Sequence, residues 1–313
     1  MNISNFIELI NAKVLNYGAT SSVYDFSIDL NKIKQASVFF AKNQEQANYA
    51  VKLGSYVIVA QEKLEIKDKE VFYLEVENLE QALLRLFRFL IQEKNIKFLF
   101  CSKIELEFAK AFGLKVLNSD IFLDFNNLKN SKNDSFFCAM NEEYLLKLTP
   151  NIHTLKSNSY EIIGKKSLFY TSLICKNLYF KDLKFAFFYA KIFSSFVAFV
   201  EENKIHFTFD DKKLNLFHAF FLDYKNEICD FGSSSRVVLL VEDEESYDFI
   251  AYNLKNFDCF KTAKKNSLFC DISYKNLNDF KMIYDYKYCL INENLDEFLN
   301  IFSPNKKEYS LFD

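Results

Sequence analysis

The chain has 313 residues, of which 50% are hydrophobic and 26% are charged, and its formal net charge is −3. So many apolar residues exclude a disordered chain. Because basic and acidic residues are spread along the whole sequence, nothing resembles the electrostatic footprint of a nucleic-acid-binding protein. The length favours two or three domains.

Targeting and redox signals favour a cytoplasmic protein. Residues 1–16 contain Glu8 and lack the basic start and cleavage site of a signal peptide. The most apolar run, 185–200, is interrupted by Lys191 and is shorter than the roughly 20 residues that cross a bilayer, which predicts a buried helix and no membrane span. The 7 cysteines form no Cys-x-x-Cys pair and the 3 histidines have no ligand spacing, which predicts reduced thiols, no metal site and no cofactor.

The first third of the chain alternates helical and strand patterns. Helical spacing of apolar residues indicates a first helix with Ser4 as its N-cap. Short β-branched and aromatic runs indicate strands, several of them continuous enough to be buried in a parallel sheet. The predicted order is helix 3–13, strands 23–28 and 36–41, helix 45–53, strands 56–60 and 71–76, and helix 79–93. The fold class is therefore predicted to be α/β.

The remainder of the chain continues this alternation. A polar stretch at 125–137 shows no apolar period and is predicted to be a loop. The other predicted elements are strand 97–100, a helix ended by Gly113, strand 115–117, a strand pair in 168–180, helix 183–203, strand 205–209, strand 237–241, helix 246–254 and strands near 267–270 and 287–291.

Three motifs in residues 2–96 carry a family resemblance. The first lies in 26–41, the second is an Ala-x-x-Ala helix ending in glycine, and the third is a helix entry; the matching residues are Asp29, Lys32, Ile33, Phe39, Ala41, then Ala47, Ala50, Gly54, then Val76, Asn78, Leu79, Ala82 and Leu86. Residues 2–96 thereby resemble the N-terminal, UDP-sugar-binding domain of Mur ligases, most of all the enzymes that add D-alanyl-D-alanine to the muramyl tripeptide.

The resemblance implies a binding segment for a UDP-muramyl precursor. It suggests that Asp29, Asn31 and Lys32 line a uridine-diphosphate groove, in which Lys32 offers charge to a phosphate and Asp29 holds its own turn. The family has Ser/Thr-Arg where this chain has Leu30-Asn31, and its glycine-rich segment with His-Asp is reduced here to 42–45.

The resemblance also identifies the segment where the family binds ATP. After the strand at 97–100, the family has Thr-Gly-x-x-Gly-Lys-Thr-Thr/Ser, whose backbone amides, lysine and hydroxyl hold phosphates and Mg²⁺. The matching residues of this chain are Cys101, Ser102, Lys103, Ile104, Glu105 and Leu106. Glu105 replaces the lysine and would repel a triphosphate. We therefore predict a degenerate loop that neither binds nor hydrolyses ATP.

Placed on the family's domain order, the chain divides into three parts. They are a Mur-ligase-like N-terminal α/β domain at 1–96, a reduced and divergent central α/β region at 97–232, and a small C-terminal α/β unit at 233–313. The resemblance, together with the loss of the nucleotide loop, favours a bacterial, non-catalytic protein that binds a peptidoglycan precursor or a cell-wall synthesis protein. Two alternatives stay open: an enzyme with a Mur-like domain and another chemistry, and an interaction module of an unrelated assembly.

Three smaller features favour structural roles. The acidic run Glu242–Glu245 resembles a receiver-domain pocket, but too few residues follow it, so we predict that it stabilises a helix N-terminus. The serines at 233–235 favour a turn over an anion site. The polar tail 305–313 is either a docking peptide or a frayed terminus.

Overall fold

The computed structural model describes residues 1–304, and the tail at 305–313 lies outside the described residues. The chain divides into two compact units, the first made of 1–102 and 113–156 and the second of 103–112 and the residues after 156. Helices alternate with largely parallel strands, so the predicted α/β class is confirmed. The predicted domain boundaries at residues 96 and 232 stay predictions.

The first unit contains two sheets. Their strands are β1 Lys13–Asn16, β2 Phe26–Ser27, β3 Val38–Ala41, β4 Val57–Ala60, β5 Phe72–Glu75, β6 Lys97–Phe100, β7 Lys115–Val116, β8 Phe136–Ala139 and β9 Ile152–His153. The first sheet has the order β1-β5-β4-β3-β2, in which β1 is antiparallel to β5 and the other pairs are parallel. The second sheet has the order β7-β8-β6-β9 and its pairs are parallel.

The longest helix of this unit organises its core. The first six helices are α1 Ile3–Ile10, α2 Gln44–Lys52, α3 Leu79–Glu93, α4 Lys103–Ala111, α5 Ile121–Lys129 and α6 Glu142–Leu148, of which α4 belongs to the second unit. Apolar residues of α3 recur at helical spacing, and Asn78 caps its first turn through the amide of Gln81. The buried face of α3 lies in one hydrophobic core with side chains from both sheets.

The second unit contains a three-stranded antiparallel sheet and a six-stranded mixed sheet. Its elements are β10 Glu161–Ile162, β11 Thr171–Cys175, β12 Leu178–Leu183, α7 Ala190–Glu202, β13 His218–Leu222, β14 Ile228–Cys229, β15 Arg236–Val241, α8 Glu244–Leu254, β16 Phe260–Lys265, β17 Ile272–Tyr274, α9 Leu277–Lys281, β18 Tyr288–Asn292 and α10 Leu295–Phe302. The larger sheet has the order β14-β13-β15-β18-β16-β17, parallel from β15 onward. Within residues 1–304, no helix combines the length and apolarity needed to span a membrane.

Four sequence predictions of local structure are wrong. The predicted loop at 125–137 is wrong at both ends: 125–129 end α5, where Phe125 and Leu128 are buried, and 136–137 begin β8, so only 130–135 lie outside helix and strand. The first helix is capped by Asn2, whose side chain accepts from the amide of Ser4, instead of by Ser4.

The other two errors concern strands. The segment 205–209 forms no strand, because its aromatic residues pack on other rings instead of pairing: Phe207 and Phe209 lie 5.2 and 5.0 Å from Phe112. The strand predicted near 267–270 is the turn between β16 and β17. Apolar content alone does not distinguish a strand from a packed irregular segment such as 205–209 or an exposed turn such as 267–270.

Candidate functional site

The segment that resembles a UDP-sugar site forms a tight turn directly after β2. A carboxylate oxygen of Asp29 accepts from the amide of Asn31 at 3.0 Å and caps the 3₁₀ turn Leu30–Lys32. The Lys32 ammonium lies 3.9 Å from the Asp29 carboxylate, and 56% of its side chain is exposed. The structure therefore brings Asp29 and Lys32 together, with Asp29 holding the turn and Lys32 open to solvent.

This turn lies at the edge of the first sheet where ligands are expected. Strands β2 to β5 are parallel, so their carboxyl ends meet at one edge, and α/β proteins bind ligands beyond that edge. A second exposed lysine, Lys42, directly follows β3, and its ammonium lies 5.5 Å from the centre of the Phe122 ring. Two cations at this edge would attract a phosphate-bearing ligand.

The segment at the position of the family's ATP loop is a direct strand-to-helix junction. Only Cys101 and Ser102 separate the end of β6 from the start of α4. Cys101 is buried and its amide donates to the Ala139 carbonyl at 3.0 Å. Within 101–106, no residue has a positive φ, and Ile104 and Leu106 are buried.

These features differ from those of a phosphate-binding loop. A phosphate loop wraps around its ligand with several convergent backbone amides, which glycines permit because they have no side chain. Here the helix begins at once, one amide is already bonded, and alternate side chains point into the core. Glu105 adds a negative charge in the first turn of α4, which further disfavours a phosphate.

A polar pocket lies within the second unit, at the carboxyl end of β15 and the first turn of α8. Its volume is about 140 Å³, and its charged or titratable lining residues are Lys103, Glu107, His218, Glu242 and Asp243. The Lys103 ammonium lies 2.9 Å from the Asp243 carboxylate. Opposite charges in one concavity at a strand end can orient a polar or zwitterionic ligand.

Two acidic residues of the polar pocket also accept hydrogen bonds from backbone amides at the starts of helices. Asp243 caps α8 by accepting from the Ser246 amide at 2.9 Å, as predicted for this acidic run. Partial burial favours a raised pKa for Asp243, but the hydrogen bonds from Ser246 and Lys103 outweigh it, so its pKa lies below the ordinary value. Glu242, in contrast, accepts at 3.0 Å from the amide of Leu295, the first residue of α10, whose N-cap is Asn294; the sequence did not indicate this contact.

The other residues that the sequence analysis considered are the serines at 233–235, the cysteines and the histidines. The hydroxyl of Ser233 donates to the Asp230 carbonyl and that of Ser234 to the Leu222 carbonyl, so this segment is the predicted turn. The 7 cysteines, all within residues 1–304, form no disulfide. Among residues 1–304, no group of three His, Cys, Asp or Glu side chains could hold a metal ion. Sequence reasoning missed His218, because nothing near it in the chain marks it.

The fold and its pockets define an α/β protein with polar groups at the carboxyl ends of parallel strands. No family model and no curated protein matches the chain. Among solved structures, it is similar to MurF ligase from Thermotoga maritima in complex with ADP, at 10% identity and a TM-score of 0.48 over 90% of this chain and 97% of that one.

Two further solved structures are similar at the same level. MurF from Acinetobacter baumannii matches at 10% identity and a TM-score of 0.46, over 84% of this chain and 78% of that one. A UDP-N-acetylmuramoyl-L-alanyl-D-glutamate–2,6-diaminopimelate ligase matches at 11% identity and a TM-score of 0.44, over 94% and 89%. The structural neighbours are thus Mur ligases, the family that residues 2–96 resemble.

Proposed function

We propose that this chain is a non-catalytic, Mur-ligase-like protein of bacterial cell-wall synthesis. In this proposal it is cytoplasmic and acts by binding a UDP-muramyl precursor or a protein of the same pathway. The ordered motifs in residues 2–96 support the link to peptidoglycan synthesis. The observation that carries the non-catalytic part is the junction at 101–106.

ATP-dependent ligation needs the parts that this junction lacks. Phosphoryl transfer is catalysed by positioning and charge neutralisation, so loop amides, a lysine and Mg²⁺ together make up the catalyst. Here two residues connect β6 to α4, and the first-turn lysine of α4, Lys103, is engaged by Asp243 at 2.9 Å. The chain is therefore suited to bind a precursor without activating it.

The proposed binding surface is the carboxyl edge of the first sheet. Lys32 is its most favourable phosphate contact, because its side chain is exposed and its ion pair with Asp29 at 3.9 Å is weak. Replacing Lys32 by alanine should therefore change the free energy of unfolding little. It should remove much of the affinity for a diphosphate. Asn31 supplies an exposed side chain beside it.

The test is calorimetric titration with UDP-N-acetylmuramoyl tripeptide. We expect measurable binding that Lys32→Ala weakens at least fivefold. Lys110→Ala is the matched control, because Lys110 also forms an exposed i,i+3 ion pair, with Glu107 at 2.6 Å, but lies in the second unit. Equal affinities for the wild type and both variants would contradict the proposal that the segment from Asp29 to Lys32 binds the precursor.

The polar pocket favours a second candidate, an enzyme that combines a Mur-like domain with another chemistry. Lys103, His218 and Glu107 line one concavity and could transfer protons or orient a polar substrate. Incubation with the UDP-muramyl tripeptide and mass spectrometry of the products discriminates the candidates. Turnover that His218→Ala abolishes would favour the enzyme, and an unchanged precursor would favour the binding protein.

Affinity capture of the tagged protein from its own cells would identify the partner. Mass spectrometry should read out both co-purified proteins and UDP-sugars. We expect peptidoglycan precursors or cell-wall synthesis proteins to be enriched. Enrichment of an unrelated assembly alone would favour the remaining hypothesis, that the chain is an interaction module with a Mur-like fold but no role in cell-wall synthesis.

A further inference from the structure

A second, largely apolar pocket lies within the second unit. Its volume is about 220 Å³, and it is walled by leucine and aromatic side chains together with a single charged residue, Lys184. It shares Leu216 and Phe217 with the polar pocket. We call it the aromatic pocket.

The walls of the aromatic pocket are held by tilted and edge-to-face ring pairs. Phe185 is buried and lies 5.4 Å from Phe193, centroid to centroid. Phe169 lies 5.2 Å from Phe231 in an edge-to-face arrangement, and Phe231 packs 4.7 Å from Phe221. Such pairs fix ring positions beyond what area burial alone achieves, so the cavity is largely preformed.

Two aromatic side chains at the rim of the pocket are exposed to solvent. Phe231 is 61% exposed and Tyr170 is 45% exposed, and their rings are 6.3 Å apart. Exposed aromatic side chains beside a concavity are typical of ligand pockets, where they cover one face of a bound ring.

Size and chemistry narrow the ligand class. A cavity of about 150 Å³ holds one benzene ring, so 220 Å³ admits a fused bicyclic ring. The lining side chains are apolar apart from Tyr170 and Lys184. They therefore offer few partners for the polar edge of a nucleobase, which favours an apolar ring system.

Lys184 gives the pocket its charge preference. Its side chain is exposed at the pocket and belongs to no ion pair within residues 1–304. The carboxylate of Asp211 accepts from the backbone amide of Lys184 at 3.2 Å and, within residues 1–304, forms no ion pair with the Lys184 ammonium. An ammonium beside an apolar cavity complements a carboxylate attached to a ring.

We propose that the aromatic pocket binds a small bicyclic aromatic carboxylate, with the ring between the aromatic side chains and the carboxylate on Lys184. This assignment is independent of the precursor-binding segment at Asp29 to Lys32, which lies in the first unit. It adds a second ligand to the protein and leaves the proposed function unchanged.

Two probes that share the naphthalene ring and carry either a charged or a neutral substituent test the proposal. Saturation-transfer NMR and calorimetry with naphthalene-2-carboxylate and with 2-naphthalenemethanol should show the carboxylate binding at least fivefold more tightly. Lys184→Ala should abolish this difference and leave the neutral probe's affinity unchanged. Lys181→Ala is the matched control, since Lys181 is exposed on the neighbouring β12 and does not line the pocket.

A second variant tests the ring contacts. Phe231→Ala should weaken both probes at least fivefold, whereas Tyr252→Ala, which removes a ring 71% exposed elsewhere in the unit, should not. Far-UV circular dichroism verifies that each variant is folded. Equal affinities for the two probes in the wild type, no effect of either pocket variant, or tighter binding of adenosine than of the carboxylate would overturn the proposal.

Discussion

The two segments that the family resemblance singles out have opposite characters in the structure. The turn at Asp29 to Lys32 keeps its charged groups at the surface, with Asp29 capping the turn and Lys32 exposed. The junction at 101–106 places Cys101, Ile104 and Leu106 in the interior. A segment that faces solvent can still recognise a ligand, whereas one used for packing has become part of the core. This contrast is the basis of the proposed function, in which precursor binding is retained and ATP-dependent catalysis is lost.

The largest expected change in stability tests whether the side chains of the junction at 101–106 are packed in the protein interior. Leu106→Ala should lower the free energy of unfolding by about 2–5 kcal/mol, because it removes a buried side chain and leaves a cavity. Urea denaturation measures it. Leu123→Ala, at a side chain that is 68% exposed, should change stability by less than about 0.5 kcal/mol. Equally small changes in both variants would mean that 101–106 is an open loop.

An intermediate effect tests the capping of α8. Asp243→Ala should cost about 1–2 kcal/mol at neutral pH, because it removes the cap on Ser246 and the ion pair with Lys103. The folded pKa of Asp243 is lowered, so its contribution is present above the unfolded pKa of about 3.9 and is lost as pH falls through the folded pKa.

Denaturation of both proteins at several pH values measures this dependence. The stabilities of the wild type and Asp243→Ala should converge as the pH falls below the lowered folded pKa of Asp243. Glu202→Ala is the control, because Glu202 pairs with Lys176 at 3.3 Å without capping a helix. A gap between wild type and Asp243→Ala that stays constant down to acid pH would contradict the role of the charge.

The smallest effects separate the two residues of the Asp29 turn. Asp29→Ala should cost about 1 kcal/mol because the cap on Asn31 is lost. Lys32→Ala should cost less than about 0.5 kcal/mol, because its ion pair is exposed. Thermal denaturation compares the two variants. If Lys32→Ala destabilises the protein as much as Asp29→Ala, the lysine serves the fold instead of a ligand.

Local patterns predicted the elements whose signals are strong. Helix α3 begins and ends where its apolar period indicated, at Leu79 and Glu93. Strand β6 likewise matches its predicted bounds, Lys97–Phe100, because a short apolar run followed by a helix pattern leaves few alternatives. These elements depend on residues close together in the chain.

Elements and sites that depend on distant residues escaped sequence reasoning. Helix α5 was missed because Phe125 and Leu128 are the only apolar residues among its last five, 125–129, too few to show a helical period. The polar pocket joins Lys103 to His218 and Asp243, which only tertiary structure brings together. The aromatic pocket escaped for the same reason, since phenylalanine is common throughout the chain.

The central claim is that the junction at 101–106 has lost ATP chemistry. Calorimetry with ATP and Mg²⁺, followed by a phosphate-release assay with UDP-muramyl tripeptide and D-alanyl-D-alanine, tests it most directly. We predict no binding at concentrations up to about 1 mM, a limit equivalent to about −4.1 kcal/mol, and no phosphate above background. Micromolar binding that Glu105→Lys does not strengthen, or any phosphate release above background, would show that the nucleotide site has been rebuilt instead of lost.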